Sequence, residues 1–158
     1  ASQQESRSKL IDLEMDNTIQ RGRCIDTCAE KFNFKTQLMD IRSSETDSTI
    51  LTKRIAKLLK NRTIDELIDV ADSIDIVADS EKVIDYLKTQ GYVVGIISDS
   101  YDCVTNHVKN KLRMDFSLSN ELEFSKSICT GEVKIPSFFV NNENSSCKHV
   151  LCKTNALH

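Results

Sequence analysis

Leu10-Ile11-Asp12-Leu13-Glu14-Met15-Asp16-Asn17-Thr18 decides the fold reading, because apolar and acidic residues alternate strictly from Ile11 to Asp16. Successive side chains of a strand point to opposite faces, so Ile11, Leu13 and Met15 share one face and Asp12, Glu14 and Asp16 the other. Three carboxylates on one strand face repel and raise one another's pKa unless a cation lies near them. Asp12 has two open readings: it joins that cluster, or it faces solvent at a sheet edge.

A second strand completes the pattern. Gly91 ends a helix that carries Val83, Ile84 and Leu87 and that Asp79 or Ser80 can cap, and residues 92–97 form a nearly continuous apolar run. A buried strand fed by a helix indicates an α/β sheet. The run stops at Ser98-Asp99-Ser100, and Val104, Val108 and Leu112 then recur every four residues on a further helix. Chemistry in open parallel sheets collects at the carboxyl ends of strands, so residues 14–18 and 98–100 are the candidate site. Residues 116–118 read as another short strand, and residues 121–124 and 127–133 alternate weakly, as the arms of a hairpin do.

Between the two strand ends, residues 21–73 carry helical periodicity in three blocks: Ile25, Cys28, Ala29 and Phe32; Ile50, Leu51, Ile55, Leu58 and Leu59; then Ile64, Leu67, Ile68 and Ala71. Thr63-Ile64-Asp65-Glu66 opens the third block as a capping box. Residues 43–48 read as a linker and residues 136–146 as a polar loop. Residues 147–158 read as the first turns of a helix.

Composition limits the function classes. The 158 residues, 39% hydrophobic and 28% charged, suit one soluble core with a small insertion. Lys and Arg total 21 against 24 Asp and Glu, so there is no basic field to attract nucleic acid. No apolar run approaches the roughly 18 residues that span a bilayer, and residues 1–9 are polar, so neither a membrane span nor a signal peptide is expected. Of the six cysteines, Cys24 and Cys28 share a helical face with Ile25, Ala29 and Phe32 and read as buried core thiols. Cys147 and Cys152 flank Lys148 and His149 without the spacing of a zinc site. Cys103 and Cys129 complete a set expected to remain free in the cytoplasm. His107, His149 and His158 read as surface residues without a catalytic partner.

Taken in chain order, Glu14-Met15-Asp16-Asn17-Thr18, Ser98 and Lys153 resemble the first three motifs of the haloacid dehalogenase-like hydrolases. The phosphoserine phosphatase-like branch is nearest, since residues 91–98, Asn120-Glu121-Leu122-Glu123 and Thr130-Gly131-Glu132-Val133 resemble it segment by segment. The resemblance implies a three-layer Rossmann-like α/β core with a parallel sheet and a β-hairpin, formed by residues 1–20 and 76–158, with residues 21–75 inserted as a small helical cap. It implies a magnesium-dependent phosphatase of small phosphorylated metabolites acting through an acyl-phosphate intermediate. Glu14 then stands at the nucleophile position and Asp16 at that of the acid and base, and both would bind Mg2+. Thr18, Ser98, Asp99 and Ser100 would bind phosphate, and Lys153, preferred over Lys148, would neutralise charge beside it.

Two departures shape the reading. The family has Asp where Glu14 stands, and its fourth motif, a Gly-Asp pair followed by another Asp, would lie beyond Lys153, whereas this sequence stops at His158 without a Gly after Gly131. The chain is therefore expected to lack its C-terminal part, as a fragment or a degenerate relative, and an inactive homologue acting as a binding or regulatory module stands beside the enzyme reading. A homodimer or a complementing second chain would cover an incomplete sheet. Arg23 stands where the branch has a Glu that holds the substrate amine, and Arg54 matches its carboxylate-binding Arg. Together they imply a more anionic substrate than phosphoserine.

Overall fold

A computed structural model describes residues 9–137. The expected terminal helix, the polar loop after Ser137, and Cys147, Lys148, His149, Cys152, Lys153 and His158 lie outside the described residues. Ten elements follow one another: β1 (Lys9–Leu13), α1 (Cys24–Lys31), α2 (Lys35–Ser44), α3 (Ser48–Leu58), α4 (Ile64–Ser73), α5 (Ser80–Thr89), β2 (Tyr92–Tyr101), α6 (Asp102–Lys111), β3 (Phe116–Ser125) and β4 (Ile128–Lys134).

The strands form one sheet in the order β1-β2-β3-β4. β1 runs parallel to β2 with Leu10 opposite Val93 and Asp12 opposite Gly95, and β2 runs parallel to β3 with Gly95 opposite Phe116 and Ile97 opposite Leu118. β3 then turns into β4 as an antiparallel hairpin with Leu122 opposite Val133. The expected α/β sheet with its hairpin is therefore present. α5 and α6 both pack on β2, which is why Val94, Ile96 and Ile97 are fully buried and why the strand is a continuous apolar run instead of an alternating one. Gly95 interrupts that run because the Phe116 ring occupies the space its Cβ would need. Gly91 closes α5 at φ 89°, a conformation that favours glycine, as its position after the helix suggested.

Several expectations need correction. Four helices, not three, separate β1 from α5, because Asn33 adopts φ 61° and breaks the helical run in two. The extra helix, α2, buries only Leu38 and Ile41, too sparse a stripe to register as a period. β1 ends at Leu13, so Glu14 and Asp16 lie beyond the ladder, and β2 continues through Ser98-Asp99-Ser100 to Tyr101 with an irregularity in its pairing to β3. Residues 116–118 and 121–124 belong to the single strand β3, which changes partner along its length. Asp79 precedes α5 but does not cap it. From a left-handed backbone its carboxylate meets Lys82 at 3.8 Å instead of the first-turn amides, and Val83 is exposed.

Other local readings hold. Thr63 Oγ1 accepts from Glu66 N at 3.1 Å and Glu66 Oε1 accepts from Thr63 N at 3.0 Å, closing the capping box. Cys24 and Cys28 are buried free thiols. The helical segment leaves and rejoins the sheet side by side: Arg21 N donates to Asp75 O at 2.8 Å and Val77 N to Ile19 O at 2.7 Å. It also meets the hairpin through backbone bonds, Asn61 N to Cys129 O at 2.8 Å and Cys129 N to Arg62 O at 2.7 Å. No helix among the described residues is long and apolar enough to cross a membrane.

Candidate active site

Parallel pairing of β1 and β2 brings their carboxyl ends together. After β1 the chain folds into a tight turn in which Ile19 N and Gln20 N both donate to Met15 O at 3.0 Å, and Asn17 takes φ 61°. Met15 and Ile19, both buried to within 1%, anchor the turn, so Asp16 is held between two side chains that cannot leave the core. Asp16 Oδ1 accepts from Cys24 N at 3.2 Å and so lies at the N-terminal end of α1. Burial first, and then repulsion by Asp99, pushes the Asp16 carboxyl above the usual carboxylate range, opposed by the Cys24 amide and the Arg23 guanidinium.

The end of β2 is equally constrained. Ser98 is fully buried and its Oγ accepts from Ser100 N at 3.1 Å. Asn120, also fully buried on β3, donates from Nδ2 to Asp99 O at 2.8 Å. Tyr101 Oη donates to Thr52 O at 2.8 Å, tying the strand end to α3, and burial holds this phenol far above its ordinary pKa.

Between these ends and the helical segment lies a cavity of about 210 Å3. Asp16, Arg23, Arg42, Asp99 and Ser100 supply its polar lining and Ile25, Leu51 and Ile55 its apolar wall. Arg23 faces Asp99 at 3.9 Å. Arg54 is not in the lining; its guanidinium turns to Ser44 Oγ at 3.4 Å and Glu45 at 4.0 Å. Arg42 stands in the cavity instead, a residue the sequence reading passed over because α2 itself was not recognised. Thr18 is exposed, Glu14 is half-buried just past β1, and neither is in the lining of this cavity. A larger cavity of about 400 Å3 opens beside α6 and β3, but its Asp102 carboxylate is already taken by Cys103 N and Leu122 N, and no strand end of the candidate site reaches it. The chemistry therefore points to the smaller cavity.

Expected surface histidine His107 does have a partner: its Nε2 lies 2.8 Å from Asp72 Oδ1, with Lys111 at 3.5 Å from the same oxygen. This joins α4 to α6 away from the cavity. Among the described residues no group of three or more His, Cys, Asp or Glu side chains is arranged to hold a metal ion. Glu14 and Asp16 are hard oxygen donors of the kind magnesium takes, and that ion is commonly held by one or two protein carboxylates together with a phosphate. Burial and, after it, the Asp99 charge disfavour a bare Asp16 carboxylate, and a cation beside it would oppose both, so these oxygens suit magnesium.

Comparison with known proteins bears on the fold and on the sequence as a whole. No family profile matches the chain. Phosphoserine phosphatase from Methanocaldococcus jannaschii is 28% identical over 135 residues, covering 82% of this chain and 64% of that protein. Its counterpart from Archaeoglobus fulgidus is 25% identical over 131 residues, covering 80% of this chain and 38% of that protein. Among solved structures, a phospho-aspartyl intermediate analogue of phosphoserine phosphatase superposes with a TM-score of 0.70 at 26% identity, covering 81% of this chain and 63% of that one. A haloacid dehalogenase-family hydrolase from Salmonella enterica superposes with a TM-score of 0.76 at 23% identity, a likeness of fold, covering 81% and 45%. The chain thus spans less than two thirds of the length of these relatives.

Proposed function

This chain has the fold of the haloacid dehalogenase-like hydrolases and a sequence similar to their phosphoserine phosphatase branch, and from that premise we propose that it is the part of a phosphomonoesterase that carries the nucleophile, the acid and base, and the substrate cavity. The observation that carries the reading is the convergence of Asp16 with Asp99 and Ser100 of the β2 end in one cavity lined by two arginines. A carboxyl raised by burial in the turn after β1 suits a group that gives and takes back a proton.

In the proposed reaction a Glu14 carboxylate oxygen attacks phosphorus while the ester oxygen leaves with the Asp16 proton, giving an acyl phosphate. Water then attacks the same phosphorus, Asp16 takes its proton, and the P–O bond to Glu14 breaks to release phosphate. The hydrogen bond from Ser100 N to Ser98 Oγ holds the end of β2 beside the phosphoryl group, and Arg23 balances its charge. Glu14 and Asp16 would hold magnesium, which would supply charge neutralisation for the phosphate. Lys153 is assigned the remaining positive charge by resemblance alone. Residues 21–75 are the proposed cap, joined to the core where Gln20 and Ile76 form an isolated antiparallel bridge. The substrate is a small phosphorylated metabolite.

The test is release of phosphate from p-nitrophenyl phosphate and from a panel of small phosphoesters in magnesium, with Asp16→Asn as the probe. Loss of at least about 100-fold in rate with folding retained is expected for removal of the acid and base. Unchanged turnover in Asp16→Asn would remove the mechanism. Glu14, one methylene longer than Asp, favours a second reading as a binding module: ligand-induced thermal stabilisation without phosphate release is its signature. The outer edge of β1 is unpaired among the described residues, which supports a homodimer or complementing chain, testable by concentration-dependent mass. Buried free thiols suit a reducing compartment such as the cytoplasm.

A further inference from the structure

Pairing between β2 and β3 slips where the site begins. From Ile97 opposite Leu118 the register jumps to Tyr101 opposite Asn120, so Ser98, Asp99 and Ser100 on β2 span the same stretch as Ser119 on β3. A bulge of this kind disrupts the ladder locally, and backbone groups there need other partners. Side chains supply them. The peptide between Asp99 and Ser100 is held on both sides: its oxygen accepts from Asn120 Nδ2 at 2.8 Å, and its N–H donates to Ser98 Oγ at 3.1 Å. Asp99 and Ser100 line the site cavity, whereas Asn120 does not.

Stability alone does not call for an asparagine at this position. Asn120 is fully buried, and among the described residues its Oδ1 has no hydrogen-bond partner. A buried carbonyl oxygen left unpaired destabilises the fold, and an apolar side chain of similar shape would remove that penalty. The preceding residue shows the contrast: the Ser119 hydroxyl pairs with Thr105 Oγ1 of α6 at 2.7 Å, and both residues are buried. Asp99 is exposed, so water can replace the donor that its oxygen would lose. What the Asn120 amide does here is fix the peptide that joins two residues of the cavity lining.

Resting on the phosphatase reading above, we propose that Asn120 is a positioning residue of the site: without touching the substrate, it holds the Asp99–Ser100 peptide in the orientation in which the end of β2 binds a phosphoryl group. The unpaired Oδ1 is the stability given up for that geometry.

The test is Asn120→Leu, read by amide NMR spectra of the chain titrated with inorganic phosphate in magnesium chloride, by amide hydrogen exchange and by thermal melting. The wild-type chain is expected to bind phosphate and to show a slowly exchanging Ser100 amide. In Asn120→Leu phosphate affinity should fall at least roughly tenfold, the scale of one well-placed hydrogen bond to an anion. The Ser100 amide should exchange at least about tenfold faster, while that of Ile96, within β2, keeps its rate. The melting temperature should be unchanged or higher, a result that a merely structural residue does not give. Lower melting together with weaker binding overturns the proposal. So does unchanged binding, or weaker binding without faster Ser100 exchange; in each case binding by the wild type leaves the phosphatase reading in place. If Leu cannot be packed there and the variant does not fold, Asn120→Thr decides on affinity and Ser100 exchange, because Thr suits a strand and its hydroxyl is one bond too short to replace the amide. Failure of both variants to fold marks Asn120 as structural and overturns the proposal. No phosphate binding by the wild-type chain overturns the phosphatase reading itself, and this proposal with it.

Discussion

Tyr101 Oη donates to the backbone oxygen of Thr52 at 2.8 Å, a bond between residues 49 positions apart that fastens the end of β2 to the middle of α3. Tyr101 is 7% exposed, and the bond closes one side of the cavity in which Asp16 and Ser100 meet. The wall of the site is thus held by a hydroxyl that plays no part in the proposed chemistry.

Tyr101→Phe removes that hydroxyl and keeps the ring. The loss expected is about 1–2 kcal/mol of stability, the scale of one buried hydrogen bond whose acceptor is left without this donor. Urea unfolding monitored by circular dichroism measures it, and an unchanged midpoint would show that the bond contributes nothing.

Gly95→Ala tests the packing between β2 and β3. The new methyl group would enter the space of the Phe116 ring, so about 1–3 kcal/mol should be lost through overpacking. Adding Phe116→Leu should restore part of that loss. Additive losses in the double variant would sink the explanation, because neighbours that share one volume must couple.

Asp72 links α4 to α6 through His107 and Lys111, and the His107 hydrogen bond holds its carboxyl below the usual range. Because the folded-state pKa lies below the unfolded one, this stabilisation is present above the ordinary Asp value of about 3.9 and is lost as pH falls through the folded-state value. The carboxylate is 45% exposed, so solvent screening limits the effect to about 0.5 kcal/mol. Melting temperature against pH should fall less steeply below about pH 4 in Asp72→Asn than in the wild type.

The thiols offer a test of burial. Burial pushes Cys103 up to about 12 and raises Cys129, the hydrogen bond with Cys28 and then burial raise Cys24, and Cys28 is enclosed in the core. Thiolate is the reactive form, so these cysteines should resist iodoacetamide at pH 7.5 in the folded chain and react on unfolding in urea. Peptide mass spectrometry reads each position, and rapid native labelling of Cys103 would contradict the packing.

The strand ends were legible because their signals are local. Alternation over residues 11–16 and the apolar run at 92–97 report strand faces directly, and the Thr63 to Glu66 spacing is itself the geometry of a capping box. α2 was not legible, since a helix that buries only Leu38 and Ile41 carries little periodic signal and its start depends on the left-handed backbone of Asn33. The site arginine was misplaced for the same reason: a motif match at Arg54 says nothing of which way α3 turns that side chain.

Sequence by itself determined the α/β class, the two acid-bearing strand ends and the resemblance to a phosphatase branch, because period, cap and motif act within a few residues. Tertiary structure alone decided that Arg42 and not Arg54 lines the cavity, that Tyr101 holds its wall, and that Asp99 presses on Asp16. Those relations depend on the rotation of each helix against the sheet, which is set by how distant apolar faces pack together and leaves no local trace in the order of residues.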